Sequence, residues 1–223
     1  MIDLNSLSLP HELRPYQKEG VDFLSSNKHA LLADDMGLGK TVQTIVALKY
    51  KYEREGLFRC LIVVPNSLLT NWVREFNIWF PESMIHTIEG DGKNRLIQLE
   101  RTNGFLLASY EQIRIAYEQP NKVPPFEVVV LDEVQKIKNR NSKVTLSCNL
   151  IQKNSAWILS GTPLENNSNE IITVFSFLKR GLLVKDMANS VIKDTLASYM
   201  LRRLKKDILP ELPELIEQDV YLD

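Results

Sequence analysis

Asp34-Asp35-Met36-Gly37-Leu38-Gly39-Lys40-Thr41 stands between an apolar segment, residues 29–33, and an amphipathic one, residues 42–50. Its end, Gly39-Lys40-Thr41, matches the phosphate-binding pattern G-x-x-x-x-G-K-[ST], with Asp34 where that pattern has its first glycine. The physics of the loop survives this change. Gly37 and Gly39 let the backbone turn with its N–H groups aimed inward, and the positive end of the following helix points at the same place. Lys40 then meets the β- and γ-phosphates of a nucleotide, and Thr41 offers its hydroxyl to magnesium. The motif requires a strand before it and a helix after it, so this stretch sets the fold class as α/β.

The rest of the chain repeats that alternation. Short apolar, β-branched segments predict strands over residues 29–33, 59–64, 84–88, 105–108, 128–131 and 156–159, separated by stretches with helical spacing, the pattern of a mostly parallel sheet flanked by helices. Leu69, Trp72, Phe76, Trp79 and Phe80 fall on one helical face and read as core. Residues 166–178 and 191–207 are expected to be helical. The prolines of Leu209-Pro210-Glu211-Leu212-Pro213-Glu214 then enforce an extended segment, with a last strand expected near residues 217–222.

Val128-Val129-Val130-Leu131-Asp132-Glu133 is an apolar strand ending in two carboxylates, at the edge where open α/β sheets bind ligands. It reads as a Walker B strand: Asp132 is expected to hold magnesium and Glu133 to orient and deprotonate the attacking water. The following strand ends in Ser160-Gly161-Thr162-Pro163, whose hydroxyls at Ser160 and Thr162 are placed to sense the γ-phosphate. Upstream of the first strand, Gln17 carries an amide able to read an adenine edge.

Composition narrows the function classes. With 44% hydrophobic and 25% charged residues, the chain buries a core and is not a disordered tail. Its longest apolar runs are far short of the ~20 residues of a membrane span, and the N-terminus lacks a secretory pattern, so an intracellular protein with no membrane partner is expected. Cys60 and Cys148 are far apart, and neither His11, His29 nor His86 is beside them, which speaks for buried thiols and against a zinc site. A formal charge of −1 gives no global footprint for nucleic acid, so any such contact is local.

Taken in order, these pieces resemble the Swi/Snf family of superfamily-two DNA translocases. Leu13-Arg14-Pro15-Tyr16-Gln17-Lys18-Glu19-Gly20-Val21 is similar to that family's Q motif, and residues 33–44 to its motif I, in which the aspartate at position 34 is usual. Val64-Pro65-Asn66-Ser67-Leu68-Leu69 resembles motif Ia, Ser109-Tyr110-Glu111 motif Ib, Asp132-Glu133-Val134-Gln135-Lys136-Ile137-Lys138-Asn139 motif II, and Ser160-Gly161-Thr162-Pro163 motif III. The resemblance implies a RecA-like lobe over residues 1–180 and a helical protrusion and linker over residues 181–223. It implies ATP and Mg²⁺ as cofactors, with Arg14, Gln17 and the loop from Asp34 through Asp35, Met36, Gly37, Leu38, Gly39 and Lys40 to Thr41 binding ATP. Thr41 and Asp132 are the implied magnesium ligands, and Lys40, Asp132 and Glu133 the catalytic set. Gln135, Ser160, Gly161 and Thr162 are the implied coupling residues. Ser67, Ser109 and Tyr110, with Lys136 and Lys138, are the implied contacts to the backbone of double-stranded DNA, contacts that position without specifying sequence.

Two departures accompany the resemblance. Gln135 stands where many relatives carry histidine, and its amide is expected to hold the same bond between motifs. The family motor has two RecA-like lobes with ATP between them, and this chain carries the motifs of the first. The second lobe, with its arginine finger, is therefore an expected partner, along with other DNA-bound proteins, and stretch 179–198 is shorter than the usual protrusion. The compartment follows the host, cytoplasm in a bacterium and nucleus in a eukaryote. A DEAD-box RNA helicase shares the fold, but such enzymes usually carry Ser-Ala-Thr where this chain has Ser160-Gly161-Thr162. A stand-alone nucleotide-binding or docking module is the non-enzymatic alternative.

Overall fold

The structure, a computed structural model, describes residues 2–117, 123–162, 168–184 and 187–208. The expected apolar runs form β1 (His29–Leu32), β2 (Arg59–Val64), β3 (Ile85–Thr87), β4 (Gly104–Ser109), β5 (Phe126–Leu131) and β6 (Lys153–Leu159), and Met200–Leu201 adds β7. Seven strands lie in the order β3-β4-β2-β5-β6-β1-β7, every pair parallel. Parallel neighbours need long crossovers, which helices supply. These are α2 (Lys40–Glu55), α3 (Leu69–Trp79), α4 (Gly92–Arg101), α5 (Tyr110–Ala116), α6 (Lys143–Leu150), α7 (Ser168–Leu178) and α8 (Asn189–Tyr199), with α1 (Pro15–Ser26) before the sheet and α9 (Lys205–Ile208) after it.

Successive side chains alternate across a strand, and both faces of this sheet are covered, so each strand feeds two cores. Cys60, Ile62, Val64, Leu107, Val130 and Trp157 pack beneath α1, α2 and α3, whereas Leu61, Val63, Leu106, Val129, Leu131 and Ile158 pack against α5, α6 and α7. All six residues of β2 and all six of β4 are buried. The aromatic face expected on α3 is core: Phe76, Phe80 and Phe105 hold ring centroids 5.2 to 6.4 Å apart. Pairs of this kind contribute about 0.5–1.5 kcal/mol each beyond area burial. Cys60 and Cys148 are both buried free thiols. Among the described residues no helix is long and apolar enough to cross a membrane.

The single helix expected over residues 191–207 is instead α8, then β7, then α9. The chain leaves the helix at Met200 because β1 offers an open ladder there. Leu31 and Leu32 pair with Met200 and Leu201, and the Ala33 and Asp35 amides donate to the Leu201 and Arg203 carbonyls at 2.8 and 3.1 Å. Helical spacing in residues 191–207 cannot report a hydrogen-bond partner that lies near residue 31. Part of the segment expected as protrusion and linker thus belongs to the sheet. The expectations for residues 209–223, and the start of the helix expected from residue 166, lie outside the described residues.

Candidate active site

Three strand ends meet at one edge of the sheet: β1 runs into the glycine loop, β5 into Asp132-Glu133 and β6 into Ser160-Gly161-Thr162, with β5, β6 and β1 adjacent. The loop has the conformation its glycines permit. Gly37 and Gly39 sit at φ 86° and 75°, where a side chain is strained, and Gly39 is the residue from which α2 begins. A Cβ on Gly39 would also lie 2.6 Å from Gln17 Nε2, so the Q-motif amide rests on the loop. The Gln17 Oε1 accepts from the Arg14 amide at 3.0 Å, which fixes the start of α1. Lys40 Nζ turns back into the loop and donates to the carbonyls of Asp34 and Asp35 at 2.7 and 3.2 Å. Burial holds Lys40 below the usual lysine range against the pull of Asp132, Asp34, Glu133 and Asp35. Met36 is exposed and Thr41 half-exposed at the mouth.

The side chain of Asp34 points elsewhere than its assignment to ATP suggested. It is fully buried, and Arg203 grips it with two bonds, Nε to Oδ1 at 3.0 Å and Nη2 to Oδ2 at 2.6 Å. Gln43 joins both groups, donating to Asp34 Oδ2 at 3.2 Å and accepting from Arg203 Nη2 at 2.9 Å. Arg203 further donates to the Tyr16 carbonyl. Gly20 is what admits this cluster: a Cβ there would fall 1.7 Å from Gln43 Oε1 and 2.9 Å from Arg203 Nη2. Asp35 likewise turns its carboxylate to the Lys205 amide, at 2.9 Å. Neither Arg203, Gln43 nor Gly20 was singled out for these roles from sequence. The available signal was Asp34 itself, a carboxylate closing an apolar strand, which needs a cation when buried.

Asp132 is nearly buried, its amide bonded to the Val63 carbonyl at 2.9 Å. Trp72 Nε1 donates to its Oδ2 and the Glu133 amide to its Oδ1, both at 2.9 Å. Burial lifts this carboxyl from 3.8 to about 6, the Trp72 bond opposing and the Glu133 charge adding. The folded group keeps its proton to higher pH than the unfolded one. As pH rises from about 4 to about 6 the unfolded state ionises first, and the fold loses stability, by about 3 kcal/mol for two pKa units. Asp132→Asn removes this titration and is expected to flatten the change in Tm between pH 4 and 6, read by thermal unfolding, with no net gain at pH 7, because its NH2 would face one of the two donors, Trp72 Nε1 or the Glu133 amide. Magnesium needs the ionised carboxylate, so the acid that a cation would use is held in its site at a cost to the fold. Among the described residues no three His, Cys, Asp or Glu side chains form a cation cage. A magnesium ion held by one carboxylate, a hydroxyl and substrate phosphates needs none, so Thr41 and Asp132 fit the ion.

Glu133 is the one non-glycine residue with positive φ among the described residues, at φ 52° and ψ 58°. Gln135 does not make the bond between motifs expected of it: the short turn over Val134–Ile137 brings its amide back onto Glu133 Oε2. Its Oε1 is buried without a partner. Ser160 and Thr162 bond to one another, Ser160 Oγ donating to the Thr162 carbonyl at 2.9 Å. Gly161 abuts the loop, where a Cβ would lie 2.8 Å from Met36 Cγ and 3.5 Å from Lys40 Nζ. Motif III therefore touches the loop side of the site.

Beside Asp132, at the ends of β2 and β4, a cavity of about 350 Å³ is lined by Asn66, Ser67, Ser109, Tyr110, Glu111 and Lys136. Four of the five residues expected on DNA line it. Ser67 and Lys136 are exposed, whereas Ser109 and Tyr110 are buried and already engaged. Ser109 Oγ caps α5 by accepting from the Gln112 amide at 3.2 Å, and Tyr110 Oη donates to the Asp132 carbonyl at 2.6 Å. Lys138 lies outside this lining, 3.8 Å from Glu170 Oε1.

With the loop, the Asp132-Glu133 pair and the cavity located, the comparison with known families is decisive: residues 16–188 match the SNF2-related domain. The chain belongs to that family. The chain is similar to the ERCC-6-like DNA excision repair protein of Danio rerio, 35% identical over 89% of this chain and 14% of that protein. An uncharacterised ATP-dependent helicase of Mycoplasma genitalium is 36% identical over 96% of this chain and 22% of its own length. Among solved structures, the Sulfolobus solfataricus SWI2/SNF2 ATPase core in complex with dsDNA superposes with a TM-score of 0.79 at 28% identity, over 92% of this chain and 47% of that one. The fold is thus the RecA-like fold of SWI2/SNF2 ATPase cores. This SNF2-related chain spans a quarter or less of these curated relatives and about half of the solved core.

Proposed function

We propose that this chain is the ATP-binding lobe of a Swi/Snf-type motor that couples ATP hydrolysis to translocation along double-stranded DNA and so remodels protein–DNA complexes. One observation carries the reading: the glycine loop with Lys40, the Asp132-Glu133 pair and Gly161 converge at the ends of three adjacent strands, where open α/β sheets take their ligands. In this reading the loop amides and Lys40 bind the β- and γ-phosphates, and Arg14 and Gln17 meet adenine. Thr41 and Asp132 hold Mg²⁺, which when bound offsets the repulsion between acids and phosphates. Glu133 orients the attacking water and takes its proton. Ser160 to Thr162 couple the site to its surroundings, while Gln135 holds the Glu133 carboxylate. The DNA backbone runs past the cavity lined by Ser67 and Lys136, where its phosphates would be held without regard to sequence; duplex DNA as the partner is supported by the dsDNA complex of the Sulfolobus core.

Stepping would need a second RecA-like lobe of the parent protein, closing on ATP and released by hydrolysis. The work would take place wherever the cell keeps its DNA. Membership of the SNF2 family leaves the RNA-helicase alternative without an observation in its favour. The test is ATP turnover by the full-length protein with and without blunt duplex DNA. We expect turnover to be stimulated by the duplex and to fall ~100-fold or more in Lys40→Ala, the loss typical of removing a charge that stabilises the transition state. Turnover indifferent to duplex DNA, or stimulated as well by single-stranded RNA, would overturn the reading.

A further inference from the structure

We propose that Tyr110 is a positioning residue through which the occupant of the cavity at the ends of β2 and β4 sets the geometry of Glu133. The inference rests on the function proposed above, taking the occupant to be the phosphate backbone of duplex DNA and Glu133 to act on water.

The connection is short and every link is a hydrogen bond or a peptide. Tyr110 lines the cavity and its ring is otherwise buried. Its hydroxyl donates, at 2.6 Å, to the carbonyl of Asp132, which is the carbonyl of the peptide joining Asp132 to Glu133. The N–H of that same peptide donates to Asp132 Oδ1 at 2.9 Å. One peptide plane is thereby held at both edges, and its orientation sets the φ of Glu133. That φ is 52°, a left-handed conformation that a glutamate adopts only where its surroundings impose it. Trp72, from α3, holds the remaining carboxylate oxygen of Asp132, so rotation at this point is not absorbed by the side chain.

The other end of the connection is equally direct. Tyr110 is the first residue of α5, immediately after the Ser109 cap, and Gln112 ties that turn to the Ile88 carbonyl at 2.6 Å. A phosphate backbone bound at Ser67 and Lys136 bears on this turn, and any movement of it carries the Tyr110 hydroxyl along. A buried tyrosine that merely satisfied its hydroxyl could do so on any carbonyl; this one does so on the peptide that aims the proposed base.

Tyr110→Phe in the full-length protein tests this, since it keeps the ring and removes only the donor. We expect duplex affinity to stay within about twofold, because the lost hydroxyl faces Asp132 and not the cavity, while the ratio of DNA-stimulated to DNA-free kcat falls about five- to tenfold with the KM for ATP unmoved. Hydrogen exchange supplies a readout apart from turnover. Adding duplex without nucleotide should slow exchange at the Glu133 and Val134 amides of the parent protein, and this slowing should vanish in Tyr110→Phe. An unchanged ratio, a loss of turnover that only follows lost DNA affinity, or no change in amide exchange in the unmutated protein on adding duplex would each overturn the proposal. The last of these needs no variant to fold. If the unmutated protein shows no DNA-stimulated turnover at all, it is the motor reading that fails.

Discussion

Arg203→Ala lowers the unfolding free energy of the chain by about 3–5 kcal/mol, the cost of leaving one partner of a buried ion pair without the other. Asp34 has no exposure, and the arginine meets both of its oxygens. With the guanidinium gone, Gln43 Nε2 still donates to this carboxylate, but a neutral amide does not balance a buried charge. Denaturant unfolding measures the effect, and a Tm drop of roughly 2–4 °C per kcal/mol accompanies it. Removing the charge as well, in Asp34→Asn with Arg203→Gln, should recover much of the loss, because a pair deleted together leaves no orphan. A single variant within about 0.5 kcal/mol of the parent would show that the pair is solvated and not structural. The loss should reach the nucleotide too. The Asp34 and Asp35 carbonyls hold Lys40, so loosening residues 34–35 unseats the lysine from the loop.

Glu133→Gln separates binding from chemistry. The substitution keeps shape and an oxygen for the Gln135 amide but cannot take a proton, so we expect single-turnover hydrolysis in the full-length protein to fall about 10²–10⁴-fold. Nucleotide affinity, set by the loop and Lys40, should stay within about threefold, since the interaction removed is one made in the transition state. Retained hydrolysis would assign proton transfer elsewhere and leave the left-handed backbone of Glu133 without a catalytic purpose. A fall in affinity as large as the fall in rate would mean that the carboxylate acts on nucleotide binding instead.

The amino-acid sequence by itself determined the sheet and the list of chemical groups. Alternation between apolar runs and helical spacing marked six strands of a parallel sheet, because local burial on both faces writes itself into the local sequence. Gly39-Lys40-Thr41 and Asp132-Glu133 were legible for a similar reason: a loop around phosphate and a strand end beside a cation tolerate few residue types within a few positions. What remained hidden was non-local. Met200–Leu201 reads as helix because its reason to be a strand, the open edge of β1, is far away in the chain. Trp72 reads as core, and is core, while its one polar atom reaches Asp132 across the end of the sheet. Tyr110 and Ser109 read as surface contacts, yet folding commits their hydroxyls to Asp132 and to the cap of α5. Asp34 reads as part of a phosphate loop, and only the approach of Arg203 over the gap at Gly20 decides that its carboxylate is a structural anion. Hydrogen bonds and ion pairs depend on which atoms the packed backbone brings within about 3 Å, and that is a property of the tertiary structure.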